Sequence, residues 1–255
     1  MSSISAVQRI PYGAYGRIAS GKRVQNAAHG AADLSIIQKQ DQQSRGYRAG
    51  SGNIKAGQAM INIADGAMGS ITDSLQRMRE LALQAANTAV VTDSDRANIQ
   101  KEIDQLKKGI ADVAGTTNYN TKPLLDGSNQ NMHIATDGNG GEKTISGADA
   151  TLAALGIADF DVTGDFDLNV LDNALAKVSG SRSEMGAQYN ALGSAYNYNA
   201  GAFINSTAGK GRLEDLDIGK AVSELKKNQT LQDYMTYMQR RQMEEQEKQM
   251  RGWFM

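Results

Sequence analysis

Cysteine is absent from this 255-residue chain. Its absence excludes disulfides, catalytic thiolates, cysteine-bound zinc and iron–sulfur clusters. Histidine occurs only at His29 and His133, and neither has a His or Glu partner at the i, i+4 spacing of a zinc-binding helix. We therefore expect no metal site and no histidine-based catalytic centre.

Proline and aromatic residues are scarce. Pro11 and Pro123 are the only prolines, so long stretches can be helical without a proline break. No aromatic residue lies between Tyr47 and Tyr119, so packing there depends on small and aliphatic side chains.

A net charge of one sign and long apolar runs are also lacking. The 27 Lys and Arg nearly balance 28 Asp and Glu, which predicts no affinity for nucleic acid. No apolar run approaches the roughly 20 residues that cross a bilayer, and the N-terminal residues lack the apolar core of a signal peptide. We expect no membrane insertion and, if the protein is exported, a route without a cleaved signal.

Heptad spacing dominates what is present. Apolar residues recur every three or four positions from Ile61 to Ala85, and again from Ile99 to Val113. This predicts a helix over residues 53–87, a break at residues 88–93 with Asp93 or Ser94 as N-cap, and a second helix that folds back on the first.

A third helix is predicted over residues 171–203, with Arg182 and Asn199 as polar, register-fixing members of its seam. The seam explains either a core within one chain or a surface that also packs on neighbouring copies. The candidate seam and assembly residues are Ile61, Met68, Ile71, Leu75, Met78, Ile103, Leu106, Leu175, Val178, Met185 and Leu192.

Residues 116–166 are rich in Gly, Asn, Thr and Asp, and the alternation at residues 132–134 and 160–162 predicts a small hairpin region. After a joint at residues 209–211, a fourth helix is predicted. Its apolar face fades beyond Met238 into polar and charged residues.

The first twenty residues carry six apolar anchors, too few to offset the entropy lost on ordering them. We predict that this segment is disordered in the monomer and orders on assembly. Pro11, Gly13 and Gly16 argue against a continuous helix there.

Motifs with catalytic or ligand-binding chemistry are not found. Residues 137–142, DGNGGE, lack the ligand alternation of a calcium loop, and the glycines Gly50 and Gly52 do not continue into a phosphate-binding fingerprint. The sequence predicts no cofactor and no enzyme activity.

Several segments resemble the flagellin family. Residues 17–24, RIASGKRV, are similar to its N-terminal signature; residues 75–87, LQRMRELALQAAN, and 99–106, IQKEIDQL, resemble its first two long helices. Residues 171–178, LDNALAKV, and 182–190, RSEMGAQYN, resemble its returning helix.

This resemblance implies a mainly α fold, an elongated antiparallel helical bundle or coiled coil of N- and C-terminal rods with a small β-hairpin region. Residues 1–30 with 213–255 would form inner-tube segments that order on assembly, residues 31–126 with 160–212 a helical rod domain, and residues 127–159 a short variable excursion.

It implies a secreted structural subunit of the extracellular flagellar filament used for swimming. The implied partners are other copies of the chain in a helical homopolymer, the flagellar type III export apparatus, a C-terminal export chaperone, filament cap and junction proteins, and a host Toll-like receptor.

By the same resemblance, Arg77, Leu81 and Glu102 match the surface that the flagellin-sensing Toll-like receptor recognises. Arg77 and Leu81 are four residues apart, so both could enter one receptor groove. The alternative is that Arg77 and Glu102 pair between neighbouring helices and Leu81 flanks the seam.

The chain also departs from the family. The arm before Arg17 is shorter than flagellins usually carry, and residues 239–250 are charged where the family has a helix rich in Leu and Ala. Two alternatives therefore stay open: a hook–filament junction protein, and a secreted receptor ligand that does not polymerise.

Overall fold

The computed structural model describes residues 10–253, with the side chains of residues 13–250. The predicted disorder covers residues 1–20. Of these, residues 1–9, with anchors such as Ile4 and Val7, lie outside the described residues, as does the apolar C-terminal Phe254.

Long helices make up most of the described chain, which confirms the mainly α prediction. The helices are α1 (Ile10–Ser20), α2 (Ala31–Ala85), α3 (Asp93–Thr116), α4 (Leu152–Leu155), α5 (Asn169–Glu214) and α6 (Ile218–Trp253), with a 3-10 turn at Ala27–His29.

Two small antiparallel strand pairs lie between α3 and α5. β1 (Asn118–Tyr119) pairs with β2 (Lys122–Pro123), and β3 (Met132–Ala135) pairs with β4 (Glu142–Ile145). In the second pair Met132 lies opposite Ile145 and Ala135 opposite Glu142. The hairpin predicted around residues 132–134 is confirmed.

The chain divides into two compact units. A central unit contains Gln43–Ile204, and a terminal unit contains Met1–Gln42 with Asn205–Met255.

In the central unit α2 and α5 run antiparallel. Near the end of α2, Arg79 Nε donates to Asp172 Oδ1, near the start of α5, at 2.6 Å. Earlier in α2, the ring of Tyr47 lies edge-on to the ring of Tyr198, in the second half of α5, with ring centroids 6.3 Å apart. α3 packs beside α2, because the turn after Ala85 reverses the chain.

The core of the central unit draws on α2, α3, α5 and the segment between α3 and α5. That segment contributes Leu125, Ile157, Phe160 and Val162, all buried. Residues 160–162 form no strand, which corrects our prediction: the alternation buries Phe160 and Val162 from an irregular segment whose Val162 N–H donates to Gln100 Oε1 at 2.9 Å.

α2 begins at Ala31, much earlier than the predicted residue 53. Gly46, Gly50 and Gly52 lie inside it, where glycine weakens a helix. Gly46 and Gly50 are explained by the β3–β4 hairpin, which packs directly on the backbone of α2: a Cβ added at Gly46 would lie 2.7 Å from Gly138 Cα, and one at Gly50 would overlap the Thr136 carbonyl.

Two asparagine amides hold the same hairpin. Asn53 Nδ2 on α2 donates to the Ala135 carbonyl at 3.0 Å, and the buried Asn199 on α5 donates to the Thr136 carbonyl at 2.6 Å. Asn199 was predicted to fix helix register; instead its amide binds the hairpin.

The N-cap of α3 is Thr92, not the predicted Asp93 or Ser94. Thr92 Oγ1 accepts from the Asp95 N–H at 3.2 Å, and the Asp95 carboxylate accepts from both the N–H and the hydroxyl of Thr92. This reciprocal capping box satisfies two helix-end donors, which a cap at either later residue would not achieve.

The terminal unit corrects two further predictions. α1 is helical despite Pro11, because a proline in the first turn removes an N–H that has no intrahelical partner. α5 continues through Gly209 and Gly211 to Glu214. The break between the two helices covers residues 215–217, and there Asp217 Oδ1 accepts from the Lys220 N–H at 3.0 Å and caps α6.

We predict that Gly50→Ala destabilises the central unit by about 1–3 kcal/mol, because the new methyl group must displace the hairpin backbone. Denaturant unfolding measures the loss, and faster amide exchange in residues 132–145 locates it. Gly52→Ala is the matched control: its Cβ meets open space, and alanine is the better helix former. Equal stability of the two variants would contradict the close hairpin contact.

We predict that Thr92→Ala destabilises the protein at neutral pH by about 1 kcal/mol, with Thr92→Ser nearly neutral. Hydrogen bonds from Thr92 lower the pKa of Asp95. The stability that these hydrogen bonds to the Asp95 carboxylate contribute is present above the ordinary carboxyl pKa. It is lost as the pH falls through the lower pKa of the folded state. Denaturant midpoints measured from pH 7 into this acid range should therefore draw closer for wild type and Thr92→Ala without becoming equal, because the bond from the Asp95 N–H to Thr92 Oγ1 does not titrate. A difference that stays constant with pH would contradict the bond from the Thr92 hydroxyl to the Asp95 carboxylate.

Candidate interaction surfaces

The seam residues predicted from heptad spacing lie inside the chain's own core. Nine are buried, and Leu106 and Leu175 are partly buried against them. In the folded chain they pack on each other in one core cluster. Within the described residues, the core interpretation of the seam is the one the structure supports.

Arg77 and Glu102 form an exposed ion pair between α2 and α3. Arg77 Nη2 and Nε lie 2.8 and 2.9 Å from Glu102 Oε1, and Nη1 lies 3.2 Å from Glu80 Oε2. The two side chains are 50% and 48% exposed. Hydrogen bonding to Glu102 raises the pKa of Arg77 further above neutrality, so the guanidinium stays charged.

Leu81 differs from that pair. Only 3% of the residue is exposed, and it packs in the core cluster. The heptad turns Leu81 inward, so in this fold its side chain is not accessible as the predicted apolar anchor. The exposed leucine of this segment is Leu83.

Arg182 behaves as the sequence predicts. Its Nε donates to Asp65 Oδ1 on α2 at 2.7 Å, and this bond raises the pKa of Arg182. A planar guanidinium held on one carboxylate favours one register of α5 against α2.

The terminal unit contains a polar junction that sequence reasoning missed. α1 ends at Ser20, and the next residue, Gly21, has a φ of +67° that suits glycine and turns the chain toward the end of α5. The Arg23 N–H then donates to the Glu214 carbonyl at 2.6 Å, and the Leu216 N–H to the Gly21 carbonyl at 2.9 Å.

Side chains reinforce this junction. Lys22 Nζ lies 2.6 Å from the largely buried Glu214 carboxylate, and Arg23 bridges Asp33 and the Leu213 carbonyl at 2.9 and 2.7 Å. The sequence indicates this junction only through the GKR run inside residues 17–24. The residues that this run contacts, 213–216, lie nearly 200 positions away in the sequence.

α1 packs along the first half of α6, where Gln229 Nε2 donates to the Tyr15 hydroxyl at 2.6 Å. From Asp233 to Met250 every residue of α6 is exposed. Together with Leu231 just before it, this part of α6 carries a stripe of apolar side chains at spacings of three and four, 40–60% exposed: Leu231, Tyr234, Met235 and Met238. We call these four residues the α6 stripe.

Within residues 10–253, no helix has the length and apolarity needed to cross a membrane. In the same part of the chain, no three His, Asp or Glu side chains are grouped closely enough to hold a metal ion.

Two protein-family models match the segments that form these long helices. The model of the bacterial flagellin N-terminal helical region matches residues 2–130, and that of the flagellin C-terminal helical region matches residues 168–247. The chain belongs to the flagellin family.

Individual relatives agree with that assignment. The flagellin of Bacillus subtilis is 33% identical over 84% of this chain and 83% of its own length. The flagellar filament core protein flaB2 of Brachyspira hyodysenteriae is 31% identical over 84% and 82%. The crystal structure of Bacillus cereus flagellin is 29% identical and superposes with a TM-score of 0.51, covering 58% of this chain and 88% of that one.

Membership makes this flagellin a structural subunit of the motility filament rather than an enzyme. Flagellins assemble with copies of themselves, and the family places the filament outside the cell. The family-matched segments include both the central helices and most of the terminal unit.

Proposed function

We propose that this flagellin polymerises through its terminal helices, with the α6 stripe as a contact between neighbouring subunits. The observation that carries the proposal is the contrast between the units. The seam of the central unit is buried within the chain, whereas the stripe leaves four large apolar side chains exposed on one helix face. Burial of that face against other copies would supply free energy for assembly.

In this proposal the segments have separate roles. Residues 1–30 with 213–255 form the inner tube and complete their ordering on assembly. Residues 31–126 with 160–212 form the rod around it, and residues 127–159 form a short excursion at the outer surface. The polar face of residues 239–250 makes the inner tube of this filament more hydrophilic than the family pattern.

Secretion and its partners are part of the same proposal and rest on family membership. The subunit travels through the flagellar type III export apparatus, is bound near its C-terminus by an export chaperone, and meets cap and junction proteins at the ends of the filament. The α6 stripe is exposed in the single chain, which is the state that a chaperone would bind.

We predict that Leu231→Gln combined with Met235→Gln raises the critical concentration for polymerisation by about tenfold or more, since two large apolar side chains lose their burial. Both residues are half exposed in the single chain, so its helix content should be unchanged by circular dichroism. Sedimentation after seeding with filament fragments, with electron microscopy of the pellet, measures the effect.

Asp233→Asn is the matched control, because residue 233 lies on the opposite face of α6 from the stripe. It should polymerise like the wild type. Equal polymerisation of the double variant would remove the stripe from the interface. Persistent monomers of the seeded wild-type protein would contradict self-assembly and favour the junction or soluble-ligand role.

We also propose that the exposed Arg77–Glu102 pair lies in the surface that a Toll-like receptor for flagellin recognises. The charged side chains are accessible on adjacent helices, and an arginine fork is a frequent centre of binding interfaces. With Leu81 buried, the apolar part of such an interface must come from an exposed neighbour such as Leu83.

We predict that Arg77→Ala weakens receptor binding by about tenfold or more. Arg79→Ala is the control, because it removes an equally exposed interhelical ion pair, with Asp172, two residues away on another face. Surface plasmon resonance with the receptor ectodomain separates the two. Unchanged affinity of Arg77→Ala, or equal loss in both variants, would contradict a specific role for Arg77.

A further inference from the structure

The turn between β3 and β4 contains the only Asn–Gly dipeptide of the sequence, Asn139 and Gly140. Both residues are exposed. Asparagine followed by glycine is the pair most open to attack of the backbone on the side-chain amide, because glycine offers no Cβ to hinder it. Asparagine is also among the chemically labile residues of proteins.

The fold itself requires glycine at this position. Gly140 has φ +90°, a conformation that residues with a Cβ rarely adopt. The glycine that makes Asn139 labile is therefore required by the turn. A bulkier residue at position 140 would hinder the attack on Asn139, but it would strain the backbone.

The hydrogen bonds of the turn leave the reacting atoms free. Asp137 Oδ1 accepts from the N–H of Asn139 at 2.8 Å and of Gly141 at 2.9 Å, and so positions the residues on either side. Within the described chain neither the Gly140 N–H nor the Asn139 side-chain amide takes part in a hydrogen bond. A Cβ added at Gly140 would meet no atom beyond its chain neighbours within 4 Å.

We propose that Asn139 is a site of spontaneous deamidation in the folded protein. The Gly140 backbone nitrogen loses its proton and bonds to the Asn139 side-chain carbonyl carbon, and the amide nitrogen leaves as ammonia. Water then opens the resulting succinimide at either carbonyl, giving an aspartate or an isoaspartate at position 139. The chain becomes one charge unit more negative, next to Asp137.

The isoaspartate product also lengthens the main chain by one carbon inside the turn. Asp137 Oδ1 can then no longer reach both N–H groups in the same geometry. The turn is the part of the hairpin that contacts Gly46 through Gly138, so this product weakens the hold of the hairpin on α2.

The test is incubation of the full folded chain in mildly alkaline buffer, followed by peptide mapping with mass spectrometry. We expect the mass gain of an amide-to-acid conversion at residue 139 to grow with time. Asn131, which is exposed in the same excursion but precedes Met132, should remain unchanged. Asn139→Gln should abolish the gain, since glutamine closes the larger ring far more slowly.

A parallel incubation in denaturant measures how much the fold slows the deamidation of Asn139. Because exposed loop tips open at almost no free-energy cost, we expect the folded chain to react no more than about tenfold more slowly than the denatured chain. Stronger protection of Asn139 in the folded chain, or a gain at Asn131 as large as at Asn139, would overturn the proposal. Fragmentation of the modified peptide assigns the mass gain to residue 139. Isomerisation of Asp137 changes no mass and so cannot contribute to it.

Discussion

Burial of one apolar seam, shared by α2, α3 and α5, is the constraint on which the central unit depends. Isolated helices owe little of their stability to propensity, and these contain many glycines. Their order comes from packing side chains such as Ile71, Leu75 and Ile103 against one another, with none exposed. Because that surface is buried within the chain, we propose assembly contacts on other residues, which would separate the stability of the subunit from its polymerisation.

The terminal unit is held together in a different way. Among the described residues its buried apolar side chains are Val24 and Ile37, whereas backbone bonds and ion pairs join residues 21–23 to 213–216. Exposed ion pairs contribute little individually, so this unit has a small margin of stability on its own. A segment with few apolar contacts and an exposed apolar stripe gains most from burial against other copies.

Much of the fold was predictable because heptad spacing reports directly on which face of a helix is buried. The helices around Ile61, Ile103 and Met185 follow from it. Helix ends did not follow from it: Thr92 caps α3 through reciprocal bonds with Asp95, whereas the next two residues, Asp93 and Ser94, are of types that N-caps prefer over threonine. The true length of α2 was hidden as well, since Gly46 and Gly50 weaken the local pattern and are explained only by a hairpin nearly 90 residues away.

The candidate surfaces show the same limit. The resemblance assigns Arg77, Leu81 and Glu102 to one surface. In the structure Arg77 and Glu102 are exposed, whereas Leu81, one helical turn after Arg77, lies nearer the seam and is buried. Matching a motif preserves sequence spacing, whereas binding requires exposure. The polar junction at Lys22 and Glu214 had no local pattern at all, since its partners meet only after the chain has returned through α5. Interactions between distant segments are thus where the structure adds most to the sequence, and in this flagellin they determine which helix faces remain free for assembly.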